Sequence, residues 1–339
     1  MILASVITFK LLLAVILFVI TLGIAAYSTY FERKVAAFMQ DRIGPNRAGP
    51  LGLLQPIADG VKMIFKEEHR PTGSNRILFI LGPSIAMLTA LMTSAVIPWS
   101  PKYFEIGGQK YALQIADINV GILYIFGIVS LGVYGILIGG WSSNNKYSLL
   151  GAVRASSQMI SYELAMGLSI IPIILGSESL QLSAIVESQH EIWNVFKYPF
   201  GFLIFLICAF AETNRTPFDL PECETELVGG YHTEYTSMKL GFFLFSEYVN
   251  MFASSAVIST LFFGGYHFPG MSLLPAGIAV LVGVAVLFAK IVFFIFFFMW
   301  IRWTIPRFRY DQLMRLGWQV LMPLAILLVV VYGAIFSFI

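Results

Sequence analysis

Eight long apolar runs divide this chain of 339 residues, at 6–30, 77–97, 118–140, 157–176, 199–213, 239–262, 275–301 and 318–338. Crossing the hydrocarbon of a bilayer takes about 20 such residues; the fifth run is short, with room to extend on either side. Apolar and polar positions do not alternate within the runs as barrel strands would. The pattern therefore predicts an all-α polytopic membrane protein of about eight transmembrane helices, a single membrane domain over 1–339. Polar connections at 31–76, 141–156, 212–238 and 302–317 carry most of the charge. In the first of them Leu53, Leu54, Ile57, Val61, Ile64 and Phe65 recur at helical spacing, with Asp59, Lys62 and Lys66 on the other side. That predicts an amphipathic interfacial helix. Ahead of it, Gly44, Pro45, Gly49 and Pro50 fix a turn. The loop reads either as a rigid rim around an opening at the membrane edge or as a surface anchor.

Composition agrees with lipid as the solvent: 58% of residues are hydrophobic and 12% charged, where a soluble domain carries about 25% charged. The charges also orient the chain. Sixteen of the 21 Lys and Arg residues fall in or beside the connections after the first, third, fifth and seventh runs. The positive-inside rule then puts those connections in the cytoplasm or mitochondrial matrix and both termini outside. The first run has its cations after it, in Arg33 and Lys34, unlike a signal peptide, so it is expected to be retained. Cys208 and Cys223 are too few for an iron–sulfur cluster, which takes about four protein ligands, and lack the spacing of a zinc site. No dinucleotide, nucleotide-phosphate or zinc-protease motif occurs. The expectation is a chain with no catalytic residues, no metal and no cofactor of its own, and no nucleic-acid partner.

Ionisable residues inside or beside the runs point to the chemistry. Glu163 lies nine residues after Arg154, on the opposite helix face, and needs a partner elsewhere, water or a proton. Glu212, Asp219, Glu222, Glu224, Glu226 and Glu234 crowd six carboxylates into 23 residues around Arg215. Crowding raises carboxylate pKa values and couples their titrations, so the stretch could pass protons; a calcium site or an acidic surface loop are the other readings. Glu247, Asn250 and Ser254 make a polar stripe in the sixth run, and Lys290 interrupts the seventh. These intramembrane charges are functional candidates, with interior pairing the alternative. The last polar connection holds Arg302, Arg307 and Arg309, which suit carboxylates of a partner protein or anionic lipid headgroups.

Seven strings taken in order resemble one family: Glu32-Arg33-Lys34, GPNRAGP at 44–50, LLQPIAD at 53–59, ISYE at 160–163, AETNRTPFDLPE at 211–222, ELVGGYHTEY at 226–235 and PRFRYDQLM at 306–314. The chain resembles the H-subunit family of NADH–quinone oxidoreductase, respiratory complex I, over nearly its whole length. Gln319 and Ser157 depart from the commoner Lys and Ala of the family. The resemblance implies the membrane side of a quinone chamber that couples quinone reduction to proton translocation through a row of carboxylates. It implies a quinone site at Glu32, Arg33, Asp59, Arg302 and Arg307, with Arg309 shaping the chamber or holding the peripheral arm. The implied proton path is Arg154, Glu163, Glu212, Glu222, Glu224, Glu226, Glu234 and Glu247. It also implies FMN and iron–sulfur clusters in partner subunits, quinone as substrate, and contact with peripheral-arm quinone-site subunits, small membrane subunits beside the antiporter-like ones, and lipids. The expected location is the bacterial cell inner membrane, with the mitochondrial inner membrane as the alternative. Rival readings are the related subunit of an energy-converting hydrogenase, a stand-alone proton channel or carrier, and a passive scaffold.

Overall fold

In lipid every backbone polar group must be paired within the protein, so long apolar runs become helices. The computed structural model describes residues 2–101, 104–106, 109–220, 227–271 and 275–338. Its helices are α1 (Ile2–Met39), α2 (Gln55–Phe65), α3 (Arg76–Met92), α4 (Gly121–Ser142), α5 (Lys146–Ser177), α6 (Leu182–Glu187), α7 (Asn194–Lys197), α8 (Pro199–Glu212), α9 (Ser237–Phe262), α10 (Ala276–Thr304) and α11 (Tyr310–Phe338). Among the described residues seven helices are long and apolar enough to cross a membrane: α1, α3, α4, α5, α9, α10 and α11. The fifth apolar run forms α8, which has 14 residues. At 1.5 Å per residue that is about 21 Å, short of the ~30 Å of hydrocarbon. A two-stranded hairpin, β1 (Phe104–Ile106) antiparallel to β2 (Gln109–Tyr111), is the small exception to an all-α chain.

Several helices run past their apolar runs, and each extension carries charge. Helix α1 continues to Met39 and stops before Asp41 and Gly44, both at positive φ. It thereby holds Glu32 and Arg33 on a rigid element. Helix α5 starts at Lys146 because the Asn145 side chain caps the Tyr147 amide at 2.9 Å. Residues 146–156, expected in a loop, are therefore helical. Helix α11 starts at Tyr310 and passes through a π-helical stretch, Leu316–Leu321. The Tyr162 hydroxyl donates to the Leu313 carbonyl just before that stretch, at 2.9 Å.

Helix α9 is the centre of the fold. Its most apolar window is 67% buried, against 17% for α1 and 11% for α11, whose outer faces stay open. Helices α3 and α4 meet through glycine: a Cβ on Gly82 would lie 2.8 Å from the Gly139 Cα, and one on Gly135 2.8 Å from the Ala86 amide nitrogen. At the end of α9 away from the charged loops, side chains take up the carbonyls left without partners. Lys290 donates to the carbonyls of Phe263, Gly265 and His267, each at 2.7 Å. Gln189 and Asn194 donate to Thr260 and Leu261, each at 2.9 Å.

Helix α2 lies apart, with none of its residues buried and Ile57, Val61, Ile64 and Phe65 exposed. Pro56 near its start pre-sets the helical φ. The turn before it is held by the Tyr30 hydroxyl on the Leu51 carbonyl, 2.7 Å, and the Ser237 hydroxyl reaches the Met63 carbonyl at 3.1 Å. Gly52 stands at φ +84, where a Cβ would run into the Pro45 carbonyl oxygen; only glycine closes this turn.

Candidate functional site

Charged groups collect in two places at the loop-bearing end. The outer one joins α1 to α2: Arg33 pairs with Asp59 at 2.9 Å, with side chains 51% and 33% exposed. Gln55 donates to the other Asp59 oxygen at 3.0 Å. Exposure of this size makes the pair worth at most about 1 kcal/mol, so its charges are available to something that docks there.

The inner place is buried. Arg215 lies between two carboxylates, 3.1 Å from Glu32 and 3.8 Å from Glu247, with the Tyr248 ring 4.0 Å away. Arg302 reaches the second oxygen of Glu32, and Tyr231 donates to Glu247 at 3.1 Å. Beside them Arg307 pairs with Asp219 at 2.9 Å. Three arginines thus face three acids, and the group balances. Arg215 owes its position to the loop after α8. Gln158 of α5 donates to the carbonyls of Ala211 and Phe218, at 2.8 and 2.9 Å, and fixes both ends of that turn. Phe218 stacks on Phe308, and the Phe308 amide donates to the Pro217 carbonyl at 3.1 Å. The turn is therefore tied to the segment that carries Arg307.

Burial works against the charge of Arg215, but Tyr248, Glu32 and Glu247 outweigh it and push its pKa up; it is a permanent cation. Burial first, then Glu247, raises Asp219 to about 6, with Arg307, Arg302 and Arg215 opposing. Burial lowers His232, against the pull of Glu247.

The inferred site residues separate into groups. Arg33 and Asp59 form the exposed pair, whereas Glu32 turns inward to Arg215 and Arg302. Glu247 shares Arg215 with it. Glu163 meets the Ser130 hydroxyl of α4. Glu212 is buried at the end of α8, in the wall of two small cavities. Glu234 accepts from Asn145 at 2.6 Å, and Arg154 lies 5.6 Å from the centre of the Tyr310 ring. Arg309 pairs with Asp311 in the open, at 2.9 Å. Glu222, Glu224, Glu226 and Cys223 lie outside the described residues. Arg215, Asp219, Tyr231 and Asn250 belong to the site beyond the residues that the resemblance implies; Asp219 is one of the crowded carboxylates, Asn250 is part of the polar stripe, and the signal for Arg215 is that it is the one Arg in an acidic stretch. Lys290 is a fastener for carbonyls at the far end. Among the described residues no three His, Cys, Asp or Glu side chains group as a metal site.

The model of a family described as NADH dehydrogenase matches residues 11–333. The NADH-quinone oxidoreductase H subunit 1 of Cytophaga hutchinsonii is 61% identical over 328 residues, 96% of each chain. The H subunit of Flavobacterium johnsoniae is also 61% identical, over 96% of this chain and 94% of its own. The H subunit 2 of Geobacter metallireducens is 52% identical over 95% of this chain and 94% of its own.

Proposed function

Because the chain belongs to the NADH dehydrogenase family, as an H subunit of NADH-quinone oxidoreductase in respiratory complex I, we propose that it forms the membrane side of the quinone chamber and turns quinone reduction into proton movement. The observation that carries this reading is the run of charge from the surface pair Arg33–Asp59, through the adjoining Glu32 and Arg215, to Glu247 inside α9.

Reducing a quinone to a quinol adds two electrons and two protons, so the headgroup is negative until its protons arrive. The electrons come from partner subunits that carry FMN and iron–sulfur clusters; this chain contributes side chains. Arg302 is 27% exposed and touches buried Glu32, so it senses the chamber on one side and the buried group on the other. Drawn towards new negative charge, it leaves Glu32 to take a larger share of Arg215. Arg215 cannot lose its proton, so it moves or stays as a whole charge. As it leaves Glu247, that carboxylate becomes the better proton acceptor. Protons would then pass towards Glu212 and Glu163. Arg154, Glu222, Glu224, Glu226 and Glu234 are assigned to the same path by the resemblance alone. Arg307 and Asp219 hold the loop that carries Arg215.

The chain is multi-pass in the membrane. The bacterial relatives support a bacterial inner membrane, and the distribution of Lys and Arg supports both termini on its outer side. Partners are the other subunits of the complex; the exposed cations of the loop-bearing end suit its peripheral arm, and lipid suits the open face of α2.

The test uses the whole complex reconstituted in sealed vesicles. Glu247→Gln and Glu163→Gln should each reduce both quinone reduction and proton uptake by about tenfold or more, with assembly intact on a native gel. Two assembled variants with unchanged proton transport would sink the reading.

A further inference from the structure

Two cavities meet at one pair of polar side chains. The first, about 20 Å³, has Glu212, Asn214, Tyr231, Glu247 and Asn250 in its wall. The second, about 30 Å³, is bounded in part by Phe126, Met166, Glu212, Asn250 and Ser254. A water needs at least roughly 10–15 Å³, with two to four polar partners; each cavity has room for one. Glu212 and Asn250 are the polar side chains that border both.

Asn250 stands out on a second ground. It is a part-buried amide within a membrane-crossing helix, and it stands in the wall of both cavities. An amide carries two donors and an acceptor, and leaving them unmet in an apolar medium is costly. Glu247 lies one turn before it on α9 and Ser254 one turn after. Glu163 is not itself in the wall of the second cavity, but it adjoins two residues that are. Met166 is one turn along α5 from Glu163, and the Phe126 carbonyl accepts from the Ser130 hydroxyl that contacts Glu163.

We propose that Asn250 is a positioning residue that holds one water in each cavity, so that Glu247 connects to Glu212 and Glu212 connects onward to Glu163. The inference rests on the proton-path reading above and names the residue that makes the path continuous. Each transfer conserves its atoms. The water takes the proton of a protonated carboxyl and gives one of its own to the next carboxylate. One acid is neutralised, the other ionised, and the water is regenerated. Asn250 neither gains nor loses a proton; it donates to one oxygen and accepts from another.

The experiment compares Asn250→Leu, Asn250→Ala, Asn250→Ser and Glu212→Gln in the reconstituted complex, reading proton uptake, quinone turnover and native-gel assembly. Leucine keeps the volume and removes the polar atoms. Alanine and serine leave room for a further water. A role in packing alone would make leucine the mildest of the three. Water-holding predicts the reverse order: Asn250→Leu loses about tenfold or more of proton uptake, while Asn250→Ala and Asn250→Ser stay within about threefold of the parent. If Glu212→Gln is impaired but Asn250→Leu is not, the role of Asn250 is refuted and the path stands. Equal loss in all three Asn250 variants, with assembly intact, also refutes it, since a water could not then replace the amide. If Glu212→Gln transports protons at the parent rate, the path itself falls, and the proposal with it.

Discussion

Replacing Arg215 by glutamine removes the cation that keeps two buried carboxylates together. At an effective dielectric of about 20, its distances of 3.1 Å to Glu32 and 3.8 Å to Glu247 correspond to attractions of about 5 and about 4 kcal/mol. Much of that is offset by the cost of taking the three charges out of water. Breaking such a pair from one side nevertheless costs about 3–5 kcal/mol, because the remaining charge stays buried. Arg215→Gln should therefore lower the apparent unfolding temperature of the purified complex and reduce its assembly. Adding Glu247→Gln leaves Glu32 and Asp219 facing Arg302 and Arg307, a balanced set again. The double variant should recover stability by on the order of 1–3 kcal/mol relative to additivity. It should not recover proton transport, because Glu247 is gone. Unfolding followed by intrinsic fluorescence, with native-gel yield, provides the assay. A double variant whose loss equals the sum of the Arg215→Gln and Glu247→Gln losses would refute the charge-balance argument, and one that regained proton transport would refute the role of Glu247.

Three further outcomes are expected. Arg33→Ala should leave stability within about 1 kcal/mol, since its pair with Asp59 is exposed, yet raise the KM for quinone; an unchanged KM would separate this pair from the chamber. Asp219 keeps its proton up to about pH 6 in the folded chain, because of burial and Glu247, against an ordinary value of 3.8. The folded chain thus binds more protons between those values, stability should fall as pH rises from about 4 to about 6, and Asp219→Asn should abolish that slope; a slope that persists in the variant contradicts it. Lys290→Met gives up three hydrogen bonds of 2.7 Å and should destabilise by about 2–4 kcal/mol, with faster hydrogen exchange at 263–268 and quinone turnover preserved. Loss of turnover without faster exchange would show that Lys290 does more than fasten the turn.

The helical fold was legible because lipid imposes a length and a composition that no soluble core requires. The ends of the helices were less so: apolarity stops at residue 30, but nothing in 31–39 breaks a helix, and α1 runs on. The polar start of α5 was hidden in the same way, since its signal is a single capping residue, Asn145. For the site, individual charges were visible and their pairings were not. Glu32 and Arg215 are 183 positions apart, and no periodicity relates them. Sequence put Glu32 beside Arg33; helix geometry turns neighbouring side chains about 100° apart, which sends one inward and leaves the other on the rim. Lys290 looked like a charge in the wrong place because the carbonyls that need it belong to a turn some 25 residues earlier.

The glycine contact between α3 and α4 bears on the cavity beside Glu247. With backbone against backbone at Gly82, Gly135 and Gly139, the two helices have no side chains to reorient and no room to slide. Ala86 and Thr89 of this pair, with Gly132 and Ile136, form one side of that cavity. The rest of its wall includes the polar residues Glu212, Asn214, Tyr231, Glu247 and Asn250, from the end of α8, the loops around Arg215 and α9. The compartment therefore has one flank of close-packed backbone, with nothing to reorient, and polar side chains that can rotate elsewhere in its wall. Any change in its volume has a direction, and it is the direction of the charges.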